Sequence, residues 1–305
     1  MTLIKKTKQI AIEKEIINMI LITGATGHLG TAVLENMLKK ISPLEIAIFA
    51  RDKKKIQKWK DSGLSIRLGD FRDKENIKRA CIGADRLLLI HVTHPDAFEH
   101  QKNVIDAAVD SGIKHIYYAG GAISHNVEKS KLGLIRDSYF LTENYIRQSG
   151  LQYTIFQIGL YSNMIPYFIG DNLPINGIKF PAGRGKAAFA SRDEIGEAIA
   201  KIILKKNEFN FTYIFSGKQS YSFVDVANIL SDLSGHEITF LNSDQEAFAS
   251  TLRQHGADEA EISKALLFSE IIKNGAYNIC DGTLEQVLER KPTTLREYLE
   301  TTYCP

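Results

Sequence analysis

Three glycines spaced three residues apart, Gly24, Gly27 and Gly30, have the type and spacing that could bind a phosphate-bearing ligand. They follow an apolar run of strand-forming residues and precede apolar residues at helical spacing, which predicts a strand, a tight turn and a helix. The first glycine permits the turn, the second lets a pyrophosphate approach the backbone, and the third lets the helix pack close to the strand. Free N–H groups at the helix start face the phosphates. The sequence therefore predicts a dinucleotide site, to which we assign Gly24, Thr26, Gly27, His28, Leu29 and Gly30.

The residue that reads the ribose of a dinucleotide is expected about twenty residues after the glycines, at the end of the second strand. Here the apolar run from Leu44 to Ala50 ends in Arg51. An acidic residue would hold the 2′-hydroxyl of NAD, whereas an arginine suits the additional phosphate of NADP. We assign this role to Arg51, with Lys55 one helical turn further on, and so favour NADP(H) over NAD(H). Two alternatives remain open. The lysines after Arg51 could form a solvated helix face, and Asp52 could bind the ribose of NAD.

Polar and aromatic residues follow two further predicted strands. Asp70 and Phe71 come after the third strand and are assigned to the adenine, with Asp70 accepting from its exocyclic amine. A turn aspartate beside a core phenylalanine is the alternative. The residues that close the fourth strand are assigned to the cofactor on the way to its nicotinamide: His91, Val92 and Thr93. His91 and His94 also suggest a metal pair, but the sequence offers no evident third ligand, and we assign no metal site.

A proton donor of the usual short-chain dehydrogenase type is missing from the sequence. Those enzymes use a tyrosine with a lysine four residues later, which lowers the pKa of the phenol. None of the twelve tyrosines has a lysine at that distance; Tyr139, for example, is followed there by Glu143. Tyr161 is assigned as the orienting or proton-donating residue. Tyr118 is a second candidate, with the alternative that its ring points into a helix layer.

From Met19 onward the sequence alternates predicted strands and helices in the rhythm of a doubly wound parallel sheet. Six strands are predicted: Ile20 to Thr23, Ile46 to Ala50, Ser65 to Leu68, Arg86 to His91, His115 to Ala119 and Tyr153 to Ile158. The helices between them are predicted at residues 28–41, 52–62, 74–82, 95–111 and 138–149. Right-handed crossovers bring the carboxyl ends of all strands to one edge, where the ligand is expected. The fold class is therefore α/β, of Rossmann type.

Three parts of the chain are predicted: residues 1–18 as an extension without assigned function, 19–160 as the dinucleotide-binding domain, and 161–305 as a smaller α/β part. The last part is expected to shape the acceptor pocket and to be intertwined with the second. It contains predicted strands at 211–215 and 238–241 and helices near 193–204, 223–233, 244–254, 258–272 and 294–302.

Aromatic residues just beyond the sixth strand could stack on a planar acceptor. They lie in the loop that contains Tyr161, Asn163, Pro166, Tyr167 and Phe168. The alternative is that these rings are simply core. A lid is predicted from residue 122 to residue 134.

Composition excludes several classes of protein. A length of 305 residues with 44% hydrophobic and 24% charged residues is ordinary for a globular enzyme. A net charge of +2 gives no electrostatic basis for binding nucleic acid. Three distant cysteines without C-x-x-C spacing fit a reduced cytoplasm. No membrane span or secretory signal is predicted, since the longest uncharged stretch, residues 151–170, holds glutamines, an asparagine and a proline.

Several segments together resemble the NmrA-like group of atypical short-chain dehydrogenases, in register from Met19 nearly to the C-terminus. The similarity is greatest to the branch of bacterial type 2 NAD(P)H:quinone oxidoreductases and triphenylmethane-dye reductases. The segments that carry it are Ile22 to Gly30, Arg51 to Lys55, Leu87 to Ile90, Ser149 to Thr154, Gly159 to Ser162, Gly275-Ala276 and Pro292 to Thr294. On this resemblance, Gly159, Leu160 and Tyr161 are expected to contact the cofactor.

The resemblance implies hydride transfer from NADPH to a quinone or a similar aromatic acceptor, without flavin or metal. A quinone delocalises the added electrons, so close ring contact and exclusion of solvent suffice, and water can supply the proton. The sequence departs from this branch at two places. Asn144 follows the Thr142-Glu143 pair where the branch has a lysine, and Gln157-Ile158-Gly159 replaces an Arg-Asn-Gly sequence.

Two other functions remain open at this level. The NmrA-like group includes redox sensors that bind a dinucleotide without turnover and regulate a partner protein, and a chain without the tyrosine–lysine pair could act in this way. A nucleotide-sugar epimerase or dehydratase fits the fold but requires the missing pair. The expected partners are a small aromatic or quinone-like substrate and either a second copy of the chain, as a homodimer, or a regulatory protein.

Overall fold

The computed structural model describes residues 19–92, 94, 96–124, 132–205 and 209–305, with the side chains of 132–136 left out. The extension 1–18, Thr93 and most of the expected lid therefore lie outside the described residues. The strands are β1 Met19–Thr23, β2 Ile46–Ala50, β3 Ser65–Leu68, β4 Ala84–Ile90, β5 His115–Gly121, β6 Gln152–Ile158, β7 Leu160–Tyr161, β8 Ile178–Lys179, β9 Phe189–Ala190, β10 Phe211–Phe215 and β11 Phe240–Leu241.

Seven of these strands form one sheet in the order β10-β6-β5-β4-β1-β2-β3, and all of its neighbouring strands are parallel. The predicted doubly wound parallel sheet is confirmed. Its central strands are continuous apolar runs because helices cover both faces; all five residues of β2, for instance, are buried. The strand order reverses between β1 and β4, and such a reversal opens a crevice above the carboxyl ends of the strands.

Helices connect and cover these strands. They are α1 His28–Leu38, α2 Lys74–Cys81, α3 Ala97–Asp110, α4 Leu132–Gln148, α5 Ile165–Ile169, α6 Arg192–Lys205, α7 Phe223–Ser234, α8 Gln245–Gln254, α9 Glu259–Lys273, α10 Thr283–Leu288 and α11 Leu295–Tyr303. In the part of the chain that the structure describes, no helix has the length and apolar character needed to cross a membrane.

The main sheet buries a separate core on each face because successive strand residues point in opposite directions. Ile20 and Ile22 of β1 belong to the core shared with α1 and α6. Leu21, between them, belongs to the core shared with α2 and α3. A further core lies in the C-terminal part, where the rings of Phe180 and Phe223 pack with centroids 4.6 Å apart.

The helix predicted at residues 52–62 does not form, and this prediction was wrong. Only Gln57–Trp59 makes a single 3-10 turn there. The carboxylate of Asp52 accepts a hydrogen bond from the backbone N–H of Lys54, at 2.8 Å. Such a local side-chain bond offers the backbone an alternative to the helix, and Lys54 and Lys58, four residues apart, would repel each other on a helix face.

Two elements from the C-terminal half attach directly to the dinucleotide-binding half. Strand β10 pairs with β6 as the outermost strand of the main sheet. Helix α6 lies beside α1, where Gly196 is so close to Ala32 that a Cβ on the glycine would overlap the Ala32 side chain. Gly196 and Ala32 are each the fifth residue of their helix. The amino-terminal ends of α1 and α6 are therefore neighbours at the edge where the strands end.

Candidate active site

The glycine turn connects β1 to α1 in the manner that its spacing predicts. Gly24 has a φ of +68°, a backbone conformation that side chains disfavour. The N–H of Gly27 donates to the carbonyl of Gly24 at 3.0 Å and closes the turn. A Cβ at Gly30 would overlap the Gly24 carbonyl oxygen and come within 2.7 Å of the Ala25 Cα. The first turn of α1, whose N–H groups have no intrahelical acceptors, is thus held tightly against the turn.

A cavity of about 360 Å³ opens from this turn and runs over the carboxyl ends of β4, β5 and β6. Its lining residues are Gly24, Gly27, His28, Leu29, Gly30, Ile90, His91, Val92, Ala119, Gly120, Gly121, Tyr139, Ile158, Gly159, Leu160, Tyr161, Met164, Arg192, Lys264, Phe268 and Tyr277. The glycine end is made mostly of backbone, whereas the far end is made of aromatic and cationic side chains. We call these the nucleotide end and the aromatic end.

Most residues assigned to the cofactor from the sequence line this cavity. They are Gly24, Gly27, His28, Leu29, Gly30, His91, Val92, Gly159, Leu160 and Tyr161. Thr26 belongs to the turn but is not among the lining residues. The residues assigned to the ribose and adenine, Arg51, Lys55, Asp70 and Phe71, follow β2 and β3 and lie beyond the cavity. Thr93 is outside the described residues, as noted above.

Asp70 is engaged by a neighbouring arginine. Its carboxylate accepts from Arg72 Nε at 3.0 Å and from Arg72 Nη2 at 2.7 Å. These bonds, with a smaller contribution from the charge of Arg51, lower the pKa of Asp70 to about 2. Two arginines therefore flank this carboxylate beside the second and third strands. Phe71 packs edge to face on Phe49, with ring centroids 5.3 Å apart.

His91 lines the cavity directly after β4, with Nδ1 facing two polar side chains. Gln101 Nε2 lies 3.0 Å from this nitrogen and also donates to the carbonyl of Ala97 at 3.0 Å. Since an amide nitrogen only donates, Nδ1 of His91 is an acceptor and the neutral ring carries its proton on Nε2. Burial lowers the pKa of His91 to about 4, so the ring is uncharged at neutral pH.

Tyr118 supports His91 from behind the cavity. Its hydroxyl lies 2.8 Å from His91 Nδ1, and its ring has no exposed surface. A Cβ at Gly120 would come within 2.7 Å of the Tyr118 ring. Tyr118 is thus separated from the cavity by a glycine of its own strand, and burial raises the pKa of its phenol well above the ordinary value.

The aromatic end brings together three tyrosines from distant parts of the chain. Tyr139 comes from α4, Tyr161 from β7, and Tyr277 follows α9. The ring of Tyr139 lies against His91 with centroids 4.2 Å apart. Burial raises the pKa of Tyr139 to about 12 and also raises the pKa values of Tyr161 and Tyr277. All three phenols are therefore protonated donors at neutral pH.

Sequence reasoning identified Tyr161 but missed Tyr139 and Tyr277. Tyr139 lacks the lysine four residues later that marks the tyrosine of a short-chain dehydrogenase. The residue found there, Glu143, does not line the cavity; its buried carboxylate accepts from Gln157 Nε2 at 3.0 Å and from Arg147 Nη2 at 3.1 Å. Tyr277 follows Gly275-Ala276, a segment of the family resemblance that could have directed attention to it.

The loop after β6 contributes less to the cavity than expected. Phe168 is buried in the C-terminal core, as the alternative interpretation had it. The Tyr167 hydroxyl donates to the carbonyl of Glu261 at 2.6 Å, outside the cavity lining. Asn163 Oδ1 accepts the backbone N–H of Arg192 at 2.9 Å and so anchors the start of α6. Tyr161 is the residue of this predicted set that reaches the cavity.

The residues of this cavity fit a dinucleotide. Helix α1 presents its amino-terminal end to the nucleotide end, and a helix start favours a pyrophosphate there. No aspartate or glutamate is found among the described lining residues, so none of them repels the phosphates. Gly27 leaves the rim open, because a Cβ there would meet no side chain within 4 Å. For the ranges 19–92, 96–124, 132–205 and 209–305 together with His94, no group of three potential metal ligands was found.

Comparisons with known proteins all indicate the same family. The model of the NmrA-like family matches residues 17–299. Quinone oxidoreductase 2 of Escherichia coli (strain K12) is 30% identical over 282 residues, which cover 92% of this chain and 96% of that protein.

Two solved structures resemble the whole described chain. Triphenylmethane reductase of Citrobacter sp. superposes with a TM-score of 0.83 at 27% identity, covering 94% of this chain and 100% of the other. The NADPH complex of an NADPH-dependent quinone oxidoreductase from Escherichia coli superposes with a TM-score of 0.81 at 28% identity, covering 93% and 99%. The similarity therefore includes the sheet and the C-terminal part alike.

Proposed function

Because the chain belongs to the NmrA-like family, we propose that it is an NADPH-dependent oxidoreductase that reduces a quinone or a similar planar aromatic acceptor. The observation that carries this proposal is the single cavity that joins the glycine turn to a tyrosine-lined end. A dinucleotide lying along it would have its phosphates at the glycines and its reactive ring near His91, Tyr139 and Tyr161. Relatives named for quinone and azo reduction support the same class of reaction.

NADPH supplies a hydride when bound, and together with one proton it converts a quinone to a hydroquinone and leaves NADP⁺. The helix start of α1 would hold the pyrophosphate through backbone N–H groups. Arg51 is proposed to bind the ribose phosphate, which makes NADP(H) the preferred cofactor over NAD(H). Both Arg51 and Lys55 are exposed and free to approach that phosphate from solvent.

The aromatic end orients the acceptor and excludes water from it. The rings of Tyr139, Phe268 and Tyr277 offer flat surfaces on which a planar acceptor can stack. Neutral phenols and the Nε2–H of His91 are hydrogen-bond donors that favour the negative charge developing on a quinone oxygen. No acid of low pKa is needed, since the reduced ring delocalises its charge and water supplies the proton. Proximity and orientation are the main contributions of the protein.

The test is the oxidation of NADPH, followed by its absorbance, with a benzoquinone, a naphthoquinone and a triphenylmethane dye as acceptors. Parallel assays with NADH and binding titrations of both cofactors complete the experiment. We expect turnover with at least one acceptor and a preference for NADPH. Tight binding of NADPH without turnover on any acceptor would overturn the proposal and favour a dinucleotide sensor that acts on a partner protein.

A further inference from the structure

We infer that the acceptor carries a negative charge, such as a carboxylate or sulfonate, which Arg192 and Lys264 recognise at the aromatic end of the cavity. This inference rests on the proposed function and specifies its substrate class. Both cations line the same cavity as Tyr161 and Tyr277, and no described lining residue is acidic. A cavity wall with two cations and no carboxylate favours an anion over a neutral or cationic ligand.

Arg192 is held in place by contacts that leave its charge unpaired. Its guanidinium lies over the ring of Tyr161, 4.8 Å from the centroid, and Nη2 contacts the Met164 sulfur at 3.9 Å. Its backbone N–H is fixed by Asn163. No ion pair joins Arg192 to any carboxylate of the described residues, whereas Arg72, Arg147, Arg253, Arg290 and Arg296 each have at least one. A stacked guanidinium without a carboxylate partner is prepared to bind an anion.

Lys264 provides the second charge from a different element. It is exposed on α9 at the cavity wall, and its Nζ lies 5.4 Å from the centroid of the Tyr167 ring. No ion pair to Lys264 occurs among residues that the structure describes. The rings of Phe268, one turn further along the same helix, and Tyr277 complete this wall. An aromatic acceptor stacked there would place an anionic substituent within reach of the lysine.

The two cations differ in what else they could bind. Arg192 begins α6, whose amino-terminal end neighbours that of α1, so its charge also acts on the phosphates of the dinucleotide. Lys264 lies on α9, whose main packing partner is α8 and not α1. A variant of Lys264 therefore separates recognition of the acceptor from binding of the cofactor.

The experiment compares an anionic with a neutral acceptor: a naphthoquinone with a propanoate side chain and the corresponding primary amide, which is close to it in size. The measured quantity is kcat/KM for the acid divided by kcat/KM for the amide, at saturating NADPH. We expect this ratio to fall about tenfold in Lys264→Glu and about threefold in Lys264→Met, the range for a partly exposed charge pair. Lys273→Glu, on the same helix but outside the cavity lining, is the matched control and leaves the ratio unchanged. The wild-type preference for the acid should also weaken as salt is added.

The outcomes separate this inference from the proposed function. If both quinones are reduced and the ratio does not respond to Lys264→Glu, the inference is overturned and the reductase proposal stands. If neither is reduced, and no acceptor of the panel under the proposed function is reduced either, the reductase proposal fails. Calorimetry with naphthalenesulfonate on the NADP⁺-loaded protein then decides whether an anion site exists: equal binding by wild type and Lys264→Glu would overturn the inference, and weaker binding by the variant would support it.

Discussion

One end of the cavity is formed mainly by backbone and the other mainly by side chains. The nucleotide end uses the backbone of one continuous segment, in which Gly24 has a positive φ and Gly30 leaves no room for a Cβ. The aromatic end uses side chains from β7, α4, α6, α9 and the segment after α9. The first binds a group that all dinucleotides share, and the second must distinguish one acceptor from another. We therefore expect substitutions at the nucleotide end to abolish function and those at the aromatic end to adjust it.

The sharpest test of this difference is Gly30→Val. Its side chain would overlap the Gly24 carbonyl and the Ala25 Cα, which are backbone atoms that cannot move aside. We expect a loss of about 3 kcal/mol in the free energy of unfolding and no measurable binding of NADPH by calorimetry. Gly282→Ala is the control, since Gly282 has a φ of −100° and its nearest neighbour is a flexible lysine side chain. Normal NADPH binding by Gly30→Val would show that the close backbone packing at Gly30 is not required for the nucleotide site.

Lowering the pH protonates two buried histidines, one that lines the cavity and one that is remote from it. Burial lowers the pKa values of His91 and His115 to about 4, against about 6.5 in the unfolded chain. Between these values the unfolded state binds more protons, so the folded state loses stability as the pH falls. We expect each histidine to remove about 2 kcal/mol from the free energy of unfolding between pH 7 and pH 5, measured by urea denaturation at the two pH values.

The two histidines can be told apart by function. His115 lies at the amino end of β5, where Nε2 is 2.9 Å from Thr154 Oγ1, and is remote from the cavity. His91→Gln and His115→Gln should each reduce the acid sensitivity of folding, but only His91→Gln should lower the rate of NADPH oxidation. An equal loss of rate in both variants would show that His91 acts through stability alone.

Arg51 tests the part of the nucleotide site that lies beyond the cavity. A charge-assisted bond to phosphate contributes about 1.5 kcal/mol or more, so Arg51→Ala should weaken NADPH binding about tenfold. NADH binding should change little, because NADH lacks the additional phosphate on the adenosine ribose. Titrations of both cofactors measure the effect, with Lys60→Ala as a control of equal charge change. If binding of NADPH and of NADH weakened equally, Arg51 would not be a ligand of the additional phosphate.

The smallest effect is expected for Tyr161→Phe. The ring and its contact with Arg192 remain, and one neutral hydrogen-bond donor is lost from the aromatic end. Since water can supply the proton, we expect kcat/KM for the acceptor to fall about fivefold, with NADPH affinity unchanged. Tyr153→Phe, at the opposite end of β6, is the matched control. A loss of more than a thousandfold would identify Tyr161 as an obligatory acid and contradict a site that acts mainly by orientation.

The sequence predicted what local patterns encode. Each of the first six strands of the main sheet was located from its apolar run, and the glycine turn from its spacing. The strand at Phe211–Phe215 was also located, but its pairing with β6 depends on chain topology and has no local signal. The helix predicted at residues 52–62 failed because one carboxylate–backbone bond and the like charges of Lys54 and Lys58, four residues apart, opposed it.

The aromatic end could not be predicted in the same way. Tyr139 and Tyr277 are 138 positions apart and meet only because α4 and the segment after α9 cover the same strand ends. Arg192 lies in no recognisable motif, and its position follows from the packing of Gly196 on Ala32. Side-chain clusters of this kind depend on tertiary packing, which periodicity and spacing do not report.

The pairing of β10 with β6 has a consequence for how the chain is made. A ribosome completes β6 at residue 158 and reaches β10 only at residue 211. Until then, the nascent sheet carries an edge strand whose N–H and C=O groups have no neighbour, a surface on which chains readily aggregate. Once β10 pairs, it becomes the outermost strand, so the edge of β6 is open only during synthesis.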